Sequence, residues 1–265
     1  MGKSSRKQVQ RQTYEQTMQQ QRQARWNPDL PEAELQQFHQ TCDRMFQALE
    51  AVSRPASVLA NPQRNQSTPK SHIGGAMLMA AGESWPDEAG EPLAATMEIY
   101  LDELPSPLPE PLRGISVLQI FLEIEPGEFG PEYGGGSWQV RCLSSTEGCT
   151  PKSQGFAIAS LPVAWEPLEH DIPSYPDDID LIPTDIRQAF EQLPNWSQLL
   201  RDRFPSGPAT RIGGWPQWIQ GSELDDTFCL QISGQDIGIE MGPEGALYFS
   251  FDEMLQGWNC LWEIG

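Results

Sequence analysis

One short pattern occurs twice in this chain. His72-Ile73-Gly74-Gly75 recurs as Arg211-Ile212-Gly213-Gly214. The first copy is followed by Trp85-Pro86 and then by Ser116-Val117-Leu118-Gln119-Ile120-Phe121. The second is followed at once by Trp215-Pro216, then by Phe228-Cys229-Leu230-Gln231-Ile232 and Gly245-Ala246-Leu247-Tyr248-Phe249. Paired glycines permit positive φ or a close backbone approach that side chains would block. Trp-Pro supplies a large apolar plug with a fixed onward direction. Two such units predict a duplicated domain in which each half covers the core of the other.

The texture between these markers is that of strands. Short apolar or alternating runs bounded by Gly and Pro predict strands at 95–101, 115–124, 137–143, 155–166, 227–233, 245–251 and 258–264. A helix is expected at 183–203, opened by Pro183-Thr184 and broken near Pro194. The fold class is therefore α+β: duplicated, mostly antiparallel β-sheet halves with few helices, preceded by an N-terminal helical extension.

The extension divides in three. Residues 1–28 form a basic, Gln-rich arm whose apolar content is too low for a core face. Residues 29–55 carry Leu35, Phe38, Cys42, Met45, Phe46, Leu49 and Val52 at helical spacing. That stripe must dock on something, most simply the domain that follows. Residues 56–71, with Pro62, Pro69 and many polar residues, read as a linker. Residues 72–265 are the duplicated domain.

Charge is unevenly spread. The whole chain carries a net −20, with +4 in residues 1–70 and −24 in residues 71–265. Such a body repels nucleic acid and attracts basic proteins. No apolar run is long enough to cross a membrane, and no secretory leader is recognised, so a cytoplasmic protein is expected. Five cysteines without a CxxC and three dispersed histidines offer neither a disulfide framework nor a metal-ligand spacing.

Six features in order resemble the YwqG-like family, also called domain of unknown function 1963. They are the first Ile-Gly-Gly, Gly82-Glu83-Ser84-Trp85-Pro86, and Ile99-Tyr100-Leu101-Asp102-Glu103-Leu104-Pro105. Leu118-Gln119-Ile120-Phe121, residues 212–220 and Gly245-Ala246-Leu247-Tyr248-Phe249 complete the set. The family pattern has a Gln-Ile-Asn-like strand before the Leu-Pro, where this chain reads Met97-Glu98-Ile99-Tyr100. The resemblance implies a duplicated α+β fold over about residues 70–265, no established enzymatic activity, and an immunity role beside secreted toxins.

No GxSxG, P-loop or dinucleotide fingerprint is present, and Gly134-Gly135-Gly136-Ser137 lacks the following Lys of a phosphate cradle. A Cys–His pair brought together only by the fold stays open. The acidic run Glu166, Glu169, Asp171, Asp177, Asp178, Asp180 and Asp185 admits three readings: a solvated face, a partner-binding surface, or catalytic or metal use. It lacks a calcium-loop frame and is too polar for a carboxylate with raised pKa. The expectation is a non-enzymatic immunity protein that needs no cofactor or metal. It would bind a cognate toxin effector through Glu166, Glu169, Asp171, Asp177, Asp178 and Asp180. The alternative is a small-ligand or peptide-binding module in the cleft between the halves.

Overall fold

The structure is a computed structural model that describes residue 17 and residues 19–60, 69–124, 137–173, 181–221 and 227–265. It divides into two compact units, Met1–Val52 with Asp180–Ser206, and Ser53–Ile179 with Gly207–Gly265.

The first unit is helical. Helix α1 (Glu32–Val52) buries Phe38, Cys42, Met45, Phe46 and Leu49 along one stripe. Its partners are α2 (Thr184–Glu191) and α3 (Trp196–Arg203). Phe46 meets Phe190 and Phe204 edge-on at centroid distances of 5.7 and 5.9 Å. Asn195, with φ of 58°, turns the chain between α2 and α3 just after Pro194. The stripe therefore finds its partner in a stretch far along the sequence, and the helices at 184–203 group with α1 rather than with the sheets.

Among the described residues the second unit holds two large antiparallel sheets and two small two-stranded ones. The strands are β1 (Arg54–Leu59), β2 (His72–Ile73), β3 (Met77–Met79), β4 (Asp87–Glu88), β5 (Glu91–Pro92), β6 (Ala94–Tyr100) and β7 (Val117–Leu122). They continue as β8 (Trp138–Leu143), β9 (Thr150–Lys152), β10 (Leu161–Pro162), β11 (Trp165–Asp171), β12 (Arg211–Gly213), β13 (Thr227–Ser233), β14 (Ala246–Asp252) and β15 (Gly257–Glu263). One large sheet runs β10-β2-β6-β7-β8 and the other β11-β1-β12-β13-β14-β15. Each contains the same series: a flanking strand, the strand that enters the double glycine, then a three-stranded meander. The expected duplication is thus visible in strand order.

Both large sheets turn one face to a shared core. Met97, Ile99, Leu118 and Ile120 from one meet Leu230, Ile232, Leu247 and Phe249 from the other. The far face of β7 is also covered, because Phe121 joins Met77, Met79, Trp85 and Leu93 in a second cluster. A strand buried on both sides explains the unbroken Val-Leu-Gln-Ile-Phe-Leu run.

Several details depart from the sequence reading. The boundary read between helix and linker at 55/56 falls inside β1, which lies in the six-stranded sheet between β11 and β12. Pro55 is accommodated at the strand's beginning, where the register slips between Arg54 and Ala56. Most of 155–160 is irregular, whereas the acidic run from 165 to 171 is a strand. The basic arm's residues 1–16 lie outside the described residues, as do 61–68 of the expected linker.

The double glycines behave alike in both halves. Gly74, Gly75, Gly213 and Gly214 all have φ between 61° and 81°. A Cβ on Gly214 would overlap the Asp171 carboxylate and Ala56. Gly214→Ala should therefore cost more than about 2 kcal/mol, from left-handed strain plus the displaced pair. Urea unfolding measures this directly, and the exposed Gly238→Ala, at a similar φ of 72° with nothing near its Cβ, serves as the reference for strain alone.

Candidate functional site

The polar residues beside each double glycine form a row across the outer face of each sheet. In the first half the register aligns His72 with Glu98, Glu98 with Gln119, and Gln119 with Arg141. In the second it aligns Arg211 with Gln231 and Gln231 with Tyr248. Glu98 is thus the counterpart of Gln231, and Gln119 of Tyr248. Pairing the two Leu-Gln-Ile runs by their letters is one strand out of step: β7 is the third strand counted from the glycines, and β13 is the second.

Each row holds the chain that leaves the glycines. We call these stretches straps. Leu78 follows Gly74 by the same interval as Gln217 follows Gly213. The Leu78 N–H donates to Glu98 Oε2 at 2.7 Å, and its carbonyl accepts from Gln119 Nε2 at 2.9 Å. The Gln217 N–H donates to Gln231 Oε1 at 2.8 Å, and its carbonyl accepts from the Tyr248 hydroxyl at 2.7 Å. Buried backbone groups that cannot pair within a sheet need such partners. Arg141 ends the first row, donating to Gln119 Oε1 at 2.9 Å and pairing with Glu83 of the strap. In the second, Leu261 stands in register with Tyr248, and Glu263, two places on along β15, accepts from the Ile219 N–H at 2.7 Å.

The Trp-Pro motifs are not equivalent in place. Trp85 packs edge-on against Phe121 at 5.3 Å and donates to the Leu93 carbonyl. Trp215 lies beside its glycines with the Arg54 guanidinium 3.6 Å above its ring.

The cations beside the glycines differ. Arg211 is fully buried and reaches Asp171 Oδ1 at 2.7 Å. Asp171 Oδ2 accepts from the Trp215 N–H at 2.6 Å, so this pair fastens the second strap at its root. Arg211 also donates to the Pro208 and Ala209 carbonyls. Burial holds the Asp171 carboxyl above its ordinary value, and Arg211 and the Trp215 N–H offset only part of that rise, so the acidic run does contain a carboxylate with raised pKa. In the first half His72 Nδ1 lies 2.6 Å from the Gly74 carbonyl and Nε2 3.4 Å from Glu98 Oε1. The Glu98 carboxylate lifts His72 above its ordinary value against the opposing effect of burial, and the Gly74 carbonyl adds to the lift. Burial works against Glu98 as an anion, but His72, the Leu78 N–H and Gln119 outweigh it and hold the carboxyl below its usual range.

The expected partner-binding residues separate on the structure. Glu166 and Glu169 are exposed on β11, which ends the six-stranded sheet among the described residues. Asp171 is buried against Arg211 and cannot meet a partner, which corrects its assignment. Asp177, Asp178 and Asp180 lie outside the described residues. Asp185 belongs to the helical unit, in an exposed pair with Arg44. Glu166, Pro167 and Glu169 also protect the sheet edge, because charge and proline discourage pairing with another strand.

The histidines contact groups other than thiols. His39 Nε2 meets the Trp26 carbonyl, His170 Nδ1 meets the Ser53 hydroxyl, and His72 meets Gly74 and Glu98. Burial pushes the Cys229 thiol up to about 12, and burial with Asp43 pushes Cys42 up to about 11. Such thiols stay protonated near neutral pH and are poor nucleophiles. No group of three or more His, Cys, Asp or Glu suited to a metal ion occurs among the described residues. No helix among them is long and apolar enough to cross a membrane. A cavity of about 610 Å³ opens where the halves adjoin, lined by Ile124, Phe156 and Ile158 of one and Ile239, Met241 and Pro243 of the other.

Sequence reasoning missed Arg211, Asp171 and Arg141 as structural charges. A signal was present: residues 71–265 carry only seven basic side chains, so each one invites the question of which acid it serves. Asp171→Ala should lower stability by about 3–5 kcal/mol in chemical denaturation, because it leaves Arg211 buried without its counter-ion.

Residues 71–254 match the family described as Domain of unknown function (DUF1963), and the chain belongs to that family. No curated protein matches the chain.

Proposed function

We propose that this member of the DUF1963 family is a non-catalytic immunity protein that neutralises a basic toxin effector through its acidic surface. The observation that carries the reading is how charge is divided between interior and exterior. The second unit's deeply buried ionisable groups serve internal locks: Asp171 with Arg211, and Glu98 with His72. Arg141, also buried, pairs with Glu83. Residues 71–265 carry a net −24 in sequence, and among the described residues Glu166 and Glu169 are exposed carboxylates. A field of that sign speeds encounter with a basic protein. An effector that cuts nucleic acid needs cations where it meets phosphate, and an acidic protein can occupy the same ground. Raised thiol pKa values and histidines engaged elsewhere support a role without covalent chemistry.

A second reading, a small-ligand or peptide-binding module, is favoured by the cavity between the halves. Its apolar floor and exposed Glu240 and Glu244 have the make-up of a ligand cleft.

The test is capture of a basic effector by the tagged full chain from its native lysate, followed by stopped flow with the captured protein at several salt concentrations. The expected result is a rate that falls steeply with salt, and an E166K/E169K variant that associates about tenfold more slowly with a flatter salt dependence. No binding, or binding with salt-independent rates unaffected by the variant, contradicts the proposal. A metabolite retained in native mass spectrometry would move the assignment to the cavity.

A further inference from the structure

The two straps are fastened by the same arrangement with one chemical difference. The second has a permanently charged Arg211 beside its glycines, and the first has His72, which loses its charge within the physiological range. We infer that His72 is a pH-sensitive latch: its protonated ring closes the Met77–Trp85 strap over the first sheet, and loss of the proton loosens that strap while the second stays fastened.

The geometry suits a doubly protonated ring. The Gly74 carbonyl only accepts, so the 2.6 Å contact needs a proton on Nδ1. The ionised Glu98 carboxylate also only accepts, so the 3.4 Å approach of Nε2 is attractive only when that nitrogen carries a proton too. A neutral ring has one. If it stays on Nδ1, the Nε2 lone pair faces a carboxylate. Glu98 is 2% exposed at its side chain and then keeps only neutral donors, the Leu78 N–H, Gln119 Nε2 and the Tyr100 side chain. The first two are the strap's fastening, so part of the penalty on Glu98 falls on the strap.

The other groups around this centre do not replace His72. Tyr100, on the same strand as Glu98, is pushed up to about 12, by burial first and then by Glu98, so it remains neutral. Arg141 on β8 is engaged by Gln119 and Glu83. Lys152 on β9 acts on Glu83. The adjoining β10, Leu161–Pro162, brings no charge. Loosening the strap would uncover the cluster of Met77, Met79, Trp85, Leu93 and Phe121.

The direction follows from the two pKa shifts. His72 is raised when the strap is closed, so its contribution is complete below its ordinary value and is lost as pH rises through the raised one. Glu98 is lowered when the strap is closed, so its contribution is present above its ordinary value and is lost only as pH falls through the lowered one. The strap is firmest between these limits.

Hydrogen exchange on the purified full chain tests this. Peptides covering 76–86 and 213–221 are compared in the same sample, so the intrinsic pH dependence of exchange cancels in their ratio. From about pH 6 to about pH 9 the first strap should lose about tenfold more protection than the second. His72→Gln should show the low ratio at every pH, and His72→Arg should hold the high ratio throughout. Parallel loss of protection in the two wild-type straps overturns the proposal. So does a His72→Gln protein that keeps the wild-type pH response. If His72→Arg does not fold, the wild-type ratio and His72→Gln decide.

Discussion

The Asp171–Arg211 pair is the contact on which the second half depends. It joins the end of β11 to the start of β12 across β1, and it holds the Trp215 N–H as the chain leaves the sheet. Both partners are buried in a unit whose surface is strongly acidic. A lone arginine or aspartate there would be costly to desolvate, so each requires the other. The glycines at 213 and 214 follow from the same contact, since a side chain at 214 would stand where the carboxylate sits.

The first half solves the same problem with other residues. Its strap is held by Glu98 and Gln119 where the second uses Gln231 and Tyr248. The anion sits in the row itself rather than two strands away on β11, and the cation is a histidine. What the duplication keeps is the backbone requirement: one N–H and one carbonyl of the strap need partners above a closed sheet. Several chemistries meet that need, which is why the two copies match in strand order better than in letters.

Much of this was legible in the sequence. The double glycines marked the duplication, and the meander strands at 227–233 and 245–251 lie where their alternation put them. The helix at 184–203 breaks at Pro194 as its composition suggests. Other features depend on partners distant in sequence. β1 is hidden in sequence because it straddles the end of a helical stripe and the start of a proline-marked polar stretch, and only its neighbours β11 and β12 show that it is a strand. The acidic run at 165–171 looks like surface. Glu166 and Glu169 keep that character, while Asp171, on the same strand, is drawn inside by an arginine 40 residues away. Equal letters at Gln119 and Gln231 suggested an equivalence that the register denies.

The buried Asp171 and Arg211 should act as a coupled lock. A double-mutant cycle on Asp171→Ala and Arg211→Met, read by chemical denaturation, tests this most directly. Each single variant should be strongly destabilised, and the double variant should be less unstable than the sum by about 2 kcal/mol or more. Additive losses would show that the two charges do not depend on each other, and would contradict the account.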